Sequence, residues 1–443
     1  MARDMTEGNP RSHIFFFAIP IILGNLFQLM YNVVDSIIIA RAAGTAALAA
    51  VNASSPVFNI IVMGVSGLAI GASVLISKAR GAKDDDEIPA ALFSLLFLGI
   101  IFSLLIMLLG TLASKSILRA IKVPEEILHD ASIYLKLIML GMPFTYSYNS
   151  YAAAMRAVGD SKTPLKYLTF SSVLNALLDV IFIVFFGLGV FGAALATVIS
   201  QAVSALLCFY KAQKTMPLLR LKRKDIKLKP SIIKEILSYG SATALQQSCQ
   251  PIGKMLIQSS INTLGVTAIA AYGACAKIEA FALVPEQSIA SAMMTYVGQN
   301  RGAKNKKRIK EGVLSGLTLE VCYWVFICIV LSVFGSFFLS IFINTPEFIA
   351  LGMSYLSLMA FFVIEAGFTN GIQGFFRGMG KMKTTILATL TQITTRVIFT
   401  FILVPRFGIR GVAFATAAGW TCMLLFIIPR AIYVYRKYDP EKD

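Results

Sequence analysis

Long apolar runs recur along this chain from end to end, and they constrain its fold more than any other feature. About 18 apolar residues in a row are enough to cross a bilayer as a helix. In hydrocarbon every backbone N–H and C=O needs an internal partner, which leaves only helices and closed barrels. Twelve such runs can be marked: 14–40, 52–77, 88–113, 130–154, 167–186, 190–210, 236–262, 266–298, 311–342, 348–375, 384–404 and 410–433. Only 14% of the residues are charged, against about 25% in a soluble domain. The sequence therefore predicts an all-α integral membrane protein of twelve transmembrane helices. The first run is too long for a cleavable signal peptide. It also carries Asn25, Gln28, Asn32 and Asp35 and lacks a small-residue cleavage site.

A net charge of +17 first suggests nucleic acid, but the placement of the 40 Lys and Arg residues argues for topology instead. With the N-terminus inside, the inner segments and adjoining span ends hold 30 of them, the outer loops and adjoining span ends 6, and 4 lie deeper within spans. That asymmetry follows the positive-inside rule and puts both termini in the cytoplasm. The expected partners of the basic face are anionic membrane lipids, with no nucleic acid.

The chain also repeats itself. RGAK at Arg80–Lys83 recurs at Arg301–Lys304, an offset of 221. At the same offset GTAALAA, from Gly44, faces GVTAIAA, from Gly265, and RAVGDSKT, from Arg156, faces RGMGKMKT, from Arg377. GVFGAALAT, from Gly189, faces GIRGVAFAT, from Gly408, with two residues deleted. The expected layout is an N-lobe at 1–210, a basic cytoplasmic linker at 211–230 and a C-lobe at 231–443. Six spans is an even number, so both lobes enter the membrane the same way up, related by a pseudo-two-fold axis along the membrane normal. Transporters built so hold substrate between the halves and rock them for alternating access.

The stretch NALLDV, Asn175–Val180, puts an amide and a carboxylate four residues apart inside an oily span. Asp near a helix centre costs about 2.5–3.5 kcal/mol on insertion scales, so a buried carboxylate points to function. Span 1 sets Asn25, Gln28, Asn32 and Asp35 on one helical face. Span 4 offers Asn149, and span 6 offers Thr197. Asp, Asn and Thr oxygens suit H+ or Na+ equally, and Asp35 and Asp179 are the ligands expected for sodium. In the second half Asn175 becomes Arg396 and Asp179 becomes Thr400, while Lys254, Lys277, Glu279, Glu286 and Glu365 mix both charge signs. A buried ion-pair network is the plain expectation there, and a second substrate or ion site the sharper one.

Several motifs lead nowhere. GLGVFG, Gly187–Gly192, joins two spans rather than a strand and a helix, so it is no dinucleotide loop. GVSG, Gly64–Gly67, has no general base, because His13 and His129 lie outside the deep parts of the spans. No GxxxxGK[ST] loop exists to bind ATP. No enzyme activity or cofactor is expected, and the six cysteines have no metal-ligand spacing and read as packing residues.

Span 1, IPIILGNLFQLMYNVVDSIIIARAAGTAALAAV, with GLAIGASVLISKARGAK, AMRAVGDSKTPL and GLGVFGAALAT, resembles the multidrug and toxic compound extrusion (MATE) family over nearly the whole chain. The resemblance implies two six-helix lobes forming a V-shaped cavity. It implies a monomeric efflux antiporter of the cell membrane that exchanges small organic, often cationic compounds for Na+ or H+. Asp35, Asn149, Asn175, Asp179 and Thr197 match the N-lobe cation site of its DinF-like branch. Its NorM-like branch uses acids of spans 7, 8 and 10, where this chain has Lys254 in place of an acid and Glu279 and Glu365 only near the expected places. The alternative within the same superfamily is a lipid-linked sugar flippase, whose pyrophosphate would need cations such as Arg396, Lys254 and Lys277.

Overall fold

The computed structural model describes residues 3–222 and 228–442, and among them every regular element is helical. The first half runs α1 (Pro10–Ala42), α2 (Thr45–Gly81), α3 (Glu87–Ala120), α4 (Glu125–Leu140), α5 (Met142–Ala157), α6 (Lys162–Asp179) and α7 (Gly189–Thr215). The second runs α8 (Pro230–Ile261), α9 (Val266–Gly302), α10 (Lys306–Ser340), α11 (Pro346–Gly378), α12 (Met382–Phe407) and α13 (Ile409–Lys437). Ten helices are long and apolar enough to span a membrane, and α4 with α5 makes an eleventh, bent by 48°. The twelfth, α8, has the length, but Gln246, Gln247, Lys254 and a scatter of serines hold its hydropathy down. Leu112, Phe185, Met255 and Val266 stand exposed on the helices, which suits a lipid-facing surface.

The bend between α4 and α5 has a local cause. Gly141 and Pro143 interrupt the span, whereas the second half has Phe362 and Ile364 at those positions and α11 continues unbroken. Elsewhere the two halves share backbone detail. Gly44 and Gly265, 221 residues apart, have φ/ψ of 91/173° and 90/169°. The last residues of the two RGAK motifs, Lys83 and Lys304, both take left-handed φ, at 57° and 56°. The duplication read in the sequence is thus present in individual torsions.

The compact units divide inside helices rather than at the linker. One comprises Met1–Asp4 and Leu23–Ala244, the other Met5–Ile22 and Leu245–Asp443, so α1 and α8 each belong partly to both. Lobe edges at 210 and 231 follow the repeat, and the compact units do not coincide with them. Residues 223–227 of the linker lie outside the described residues. Of the rest, α7 continues to Thr215 and a short 3-10 turn follows at Pro217–Leu219.

Small residues allow close helix crossings in the first unit. A Cβ on Gly67 of α2 would lie 2.7 Å from the carbonyl of Gly240 on α8, and one on Gly71 would lie 2.8 Å from its amide nitrogen. This is a small-xxx-small crossing, which packs helices where no hydrophobic gain between them is available. Gly99 of α3 lies under the Tyr146 ring of α5, whose hydroxyl donates to Leu95 O at 2.9 Å. Any side chain at Gly99 would overlap that ring. Gly99→Ala should therefore lower the melting temperature in detergent, with a cost of about 1–3 kcal/mol expected for overpacking. Gly64→Ala, where a Cβ meets nothing within 4 Å, should leave it unchanged or higher. Equal melting temperatures for the two variants would refute this packing.

Candidate ion-coupling site

Asn175 and Asp179 lie one turn apart on α6, at 2% and 0% exposure. Asp179 is the last residue of regular α-helix. A π-helical turn, Val180–Phe185, follows directly, and Phe186 N–H donates across it to Ile181 O at 3.0 Å. Such turns within α-helices are frequent at functional sites. Asp35 of α1 comes into direct contact with Asp179, so two carboxyl groups face each other. Tyr31, one turn earlier on α1, engages Thr197 of α7. Asn175 Nδ2 donates to Thr197 Oγ1 at 3.4 Å, and that hydroxyl donates on to Ala193 O at 3.1 Å. Tyr134 of α4 stands near both aspartates.

Oxygen without donors defines this place. Asp35 Oδ1, Asp179 Oδ1 and Oδ2 and Asn175 Oδ1 are all buried, and none has a hydrogen-bond partner. A buried acceptor left unpaired costs about 1–3 kcal/mol, and more when it is charged. Two like charges about 4 Å apart repel by roughly 4 kcal/mol more at an effective dielectric near 20. A proton or a hard cation removes both penalties, and the unmatched oxygens fit either. The second half shows what the same helix does without that need. There Thr400 stands in for Asp179 and donates to Arg396 O of its own helix at 2.7 Å, so its hydroxyl is satisfied locally.

Four of the five expected residues, Asp35, Asn175, Asp179 and Thr197, come together here. Asn149 does not join them through any hydrogen bond among the described residues; its Nδ2 donates to Thr145 O of its own helix at 2.8 Å. Tyr31 and Tyr134 join the site without being among the residues the sequence predicts. A helical-face analysis places Tyr31 one turn before Asp35, but Tyr134 arrives through tertiary packing of α4.

The second half departs from expectation. Among the described residues no lysine or arginine lies within 4.0 Å of Glu279, Glu286 or Glu365, so the anticipated ion-pair network is not formed. Neutral donors serve instead. Tyr355 O–H donates to Glu279 Oε2 at 2.9 Å, Thr421 O–H to Glu365 Oε2 at 2.9 Å, and Asn370 hydrogen-bonds Glu286. Lys254 is exposed, and Lys277 lies over the Phe342 ring at 5.6 Å. Arg396 stands near Tyr272 and Tyr355, with its Nε buried and unpaired. Glu286 has a buried acidic neighbour in Glu320 of α10. Both are 1% exposed, and both Glu320 oxygens lack donors. Glu320 sits in the middle of an apolar span, so the rule that singled out Asp179 would have found it.

Comparison with known proteins decides the family. The MatE family model matches residues 20–181 and 242–402, one stretch in each half. This chain belongs to the MatE family. It is accordingly a multi-pass membrane transporter and not an enzyme. It is 28% identical over its whole length to the probable multidrug resistance protein YpnP of Bacillus subtilis, covering 98% of that protein. It is 24% identical to the probable multidrug resistance protein NorM of Thermotoga maritima, over 95% of this chain and 90% of that one. Among solved structures, an outward-facing multidrug resistance MATE family transporter of the MOP superfamily superposes with a TM-score of 0.92 at 24% identity, over 99% of this chain and 98% of that one. A MOP superfamily transporter from Pyrococcus furiosus gives 0.90 at 23%, over 98% of each chain. These likenesses give the twelve-helix MATE fold.

Within this MatE protein the aspartate contact yields a stability prediction. Replacing an ion-binding carboxylate should relieve repulsion, whereas replacing a structural one should break packing. Asp179→Asn should raise the melting temperature by several degrees in alkaline Na+-free detergent buffer and leave it nearly unchanged when Na+ is added. A fall in both buffers would mark Asp179 as structural.

Proposed function

We propose that this transporter exports small organic compounds, many of them cationic, in exchange for Na+ or H+, and that Asp35 and Asp179 bind the coupling ion. The facing carboxylates, three of whose four oxygens are buried without a donor, carry the reading. An ion that neutralises them stabilises the arrangement in which they touch, so its binding and release can bias a two-state transporter. Any compound that binds the other state better is then coupled to the ion, and the coupling is reciprocal. Asn175, held by Thr197, supplies a neutral oxygen beside the pair. Tyr31 and Tyr134 wall it off and exclude competing water.

The multidrug designations of the relatives support the substrate class and do not favour the flippase alternative. The placement of the ion site in the first half is that of the DinF-like branch. Rocking of the two lobes, a monomeric state, and a place in the cell membrane with both termini cytoplasmic complete the reading. The bias of basic residues to one side supports that orientation.

Proteoliposomes loaded with a fluorescent organic cation test the proposal. An imposed Na+ gradient or pH gradient should drive efflux by the wild-type protein. Asp35→Asn should cut the gradient-driven component at least tenfold while the protein inserts normally. Undiminished coupling in Asp35→Asn would transfer the role to another group, with Glu286 and Glu320 the next pair to replace.

A further inference from the structure

The second half holds a buried acidic pair that its counterpart in the first half lacks. Glu286 of α9 and Glu320 of α10 are neighbours, each 1% exposed. Glu286 Oε2 and both Glu320 oxygens are buried without a hydrogen-bond partner. At the offset of 221 the first half has Val65 and Gly99 at these positions. Val65 is buried there, and Gly99 lies under the Tyr146 ring of α5. The residue matching Tyr146 is Gly367 of α11, and a Cβ on Gly367 would lie 3.2 Å from Glu320 Oε2. The small residue has changed helices, and a carboxyl group has taken the room given to a ring. An apolar side chain would fill that room without the cost of burying a charge, so packing does not account for Glu320.

The groups around the pair do not neutralise it. Among the described residues no lysine or arginine lies within 4.0 Å of either glutamate. Asn370 of α11 hydrogen-bonds Glu286 only. Tyr323, one turn after Glu320 on α10, stands near both glutamates, yet its hydroxyl donates to Ala282 O at 2.7 Å. Glu279, two turns before Glu286 on α9, adds a further like charge and takes its own donor from Tyr355. Two buried charges of one sign repel, and three carboxylate oxygens without donors add the cost of unmade hydrogen bonds.

We propose that Glu286 and Glu320 together bind a proton, one carboxyl group carrying it and the other accepting its hydrogen bond. A proton needs only two oxygens, whereas a hard metal cation takes about six. Among the described residues no third His, Cys, Asp or Glu joins the pair in a metal-holding group. The pair belongs to the second compact unit, and Asp35 and Asp179 belong to the first. Proton binding here is therefore independent of whether the aspartates carry the coupling ion.

Infrared spectroscopy of the purified full chain in detergent tests this through the C=O band of a protonated carboxyl group. Labelling the glutamate side-chain carboxyls with a heavy carbon isotope moves their band away from that of the aspartates, so this site and the aspartate pair are read separately. At neutral pH without Na+ the labelled wild type should show a glutamic acid band. Glu320→Gln should lose at least half of it, because the new amide can donate to the remaining carboxylate. Glu286→Gln should do the same, and serves if the first variant misfolds. Glu347→Gln, which replaces an exposed acid at the start of α11, should leave the band intact. Added Na+ should leave it intact too. A wild type without a glutamic acid band overturns the proposal, as does a band that loses less than half its intensity in the folded variants. So does a band that Na+ abolishes at constant pH, because the pair would then hold a metal cation.

Discussion

Two carboxyl groups in contact inside a membrane helix bundle cannot both stay charged and unaccompanied. The Asp35–Asp179 contact makes that demand of the first half of this chain, and the surrounding structure meets it only in part. Thr197 takes the Asn175 amide nitrogen and leaves its oxygen facing inward. No lysine or arginine approaches the pair among the described residues. A cation fixed in the protein would neutralise the aspartates permanently. Under the proposed coupling, the charge is balanced instead by an ion that can leave.

The duplicated backbone makes the chemistry easier to interpret, because each half serves as the reference for the other. The torsions of Gly44 and Gly265 agree within a few degrees, so differences between matched side chains are not forced by the chain path. Asp179 against Thr400 contrasts a buried unmatched charge with a hydroxyl satisfied by its own helix. Asp160 against Lys381 runs the other way, from an acid satisfied locally to a base with no capping partner.

Much of this was legible in the sequence because a bilayer imposes strong rules. Span positions, the repeat and the residues Asp35, Asn175 and Asp179 all follow from apolar run length, offset and helical spacing, whereas Thr197 is singled out by the family resemblance. Helix ends did not follow: α2 begins at Thr45 and α3 runs to Ala120, several residues beyond the apolar runs, because helices continue past the hydrocarbon. The weak hydropathy of α8 shows the opposite case, a span whose polar residues are buried against protein, as Gln246 is by Thr389. The break at Gly141 does have a local signature, Gly-Met-Pro, but apolar run length is blind to it. The π turn after Asp179 had no local signature, since VIFIVF is equally compatible with regular helix. The ion pairs expected around Glu279 and Glu365 failed because charge counting ignores Tyr355 and Thr421, whose hydroxyls arrive from other helices.

The most direct test of the central claim is ion binding at equilibrium, free of transport. Radiolabelled Na+ binding and proton uptake can be measured on the purified chain in detergent, beside the Asp35→Asn, Asp179→Asn double variant. The account predicts that wild type takes up one ion, as Na+ or as a proton, which the double variant does not. Equal uptake by both proteins would contradict it and place the coupling ion elsewhere in the molecule.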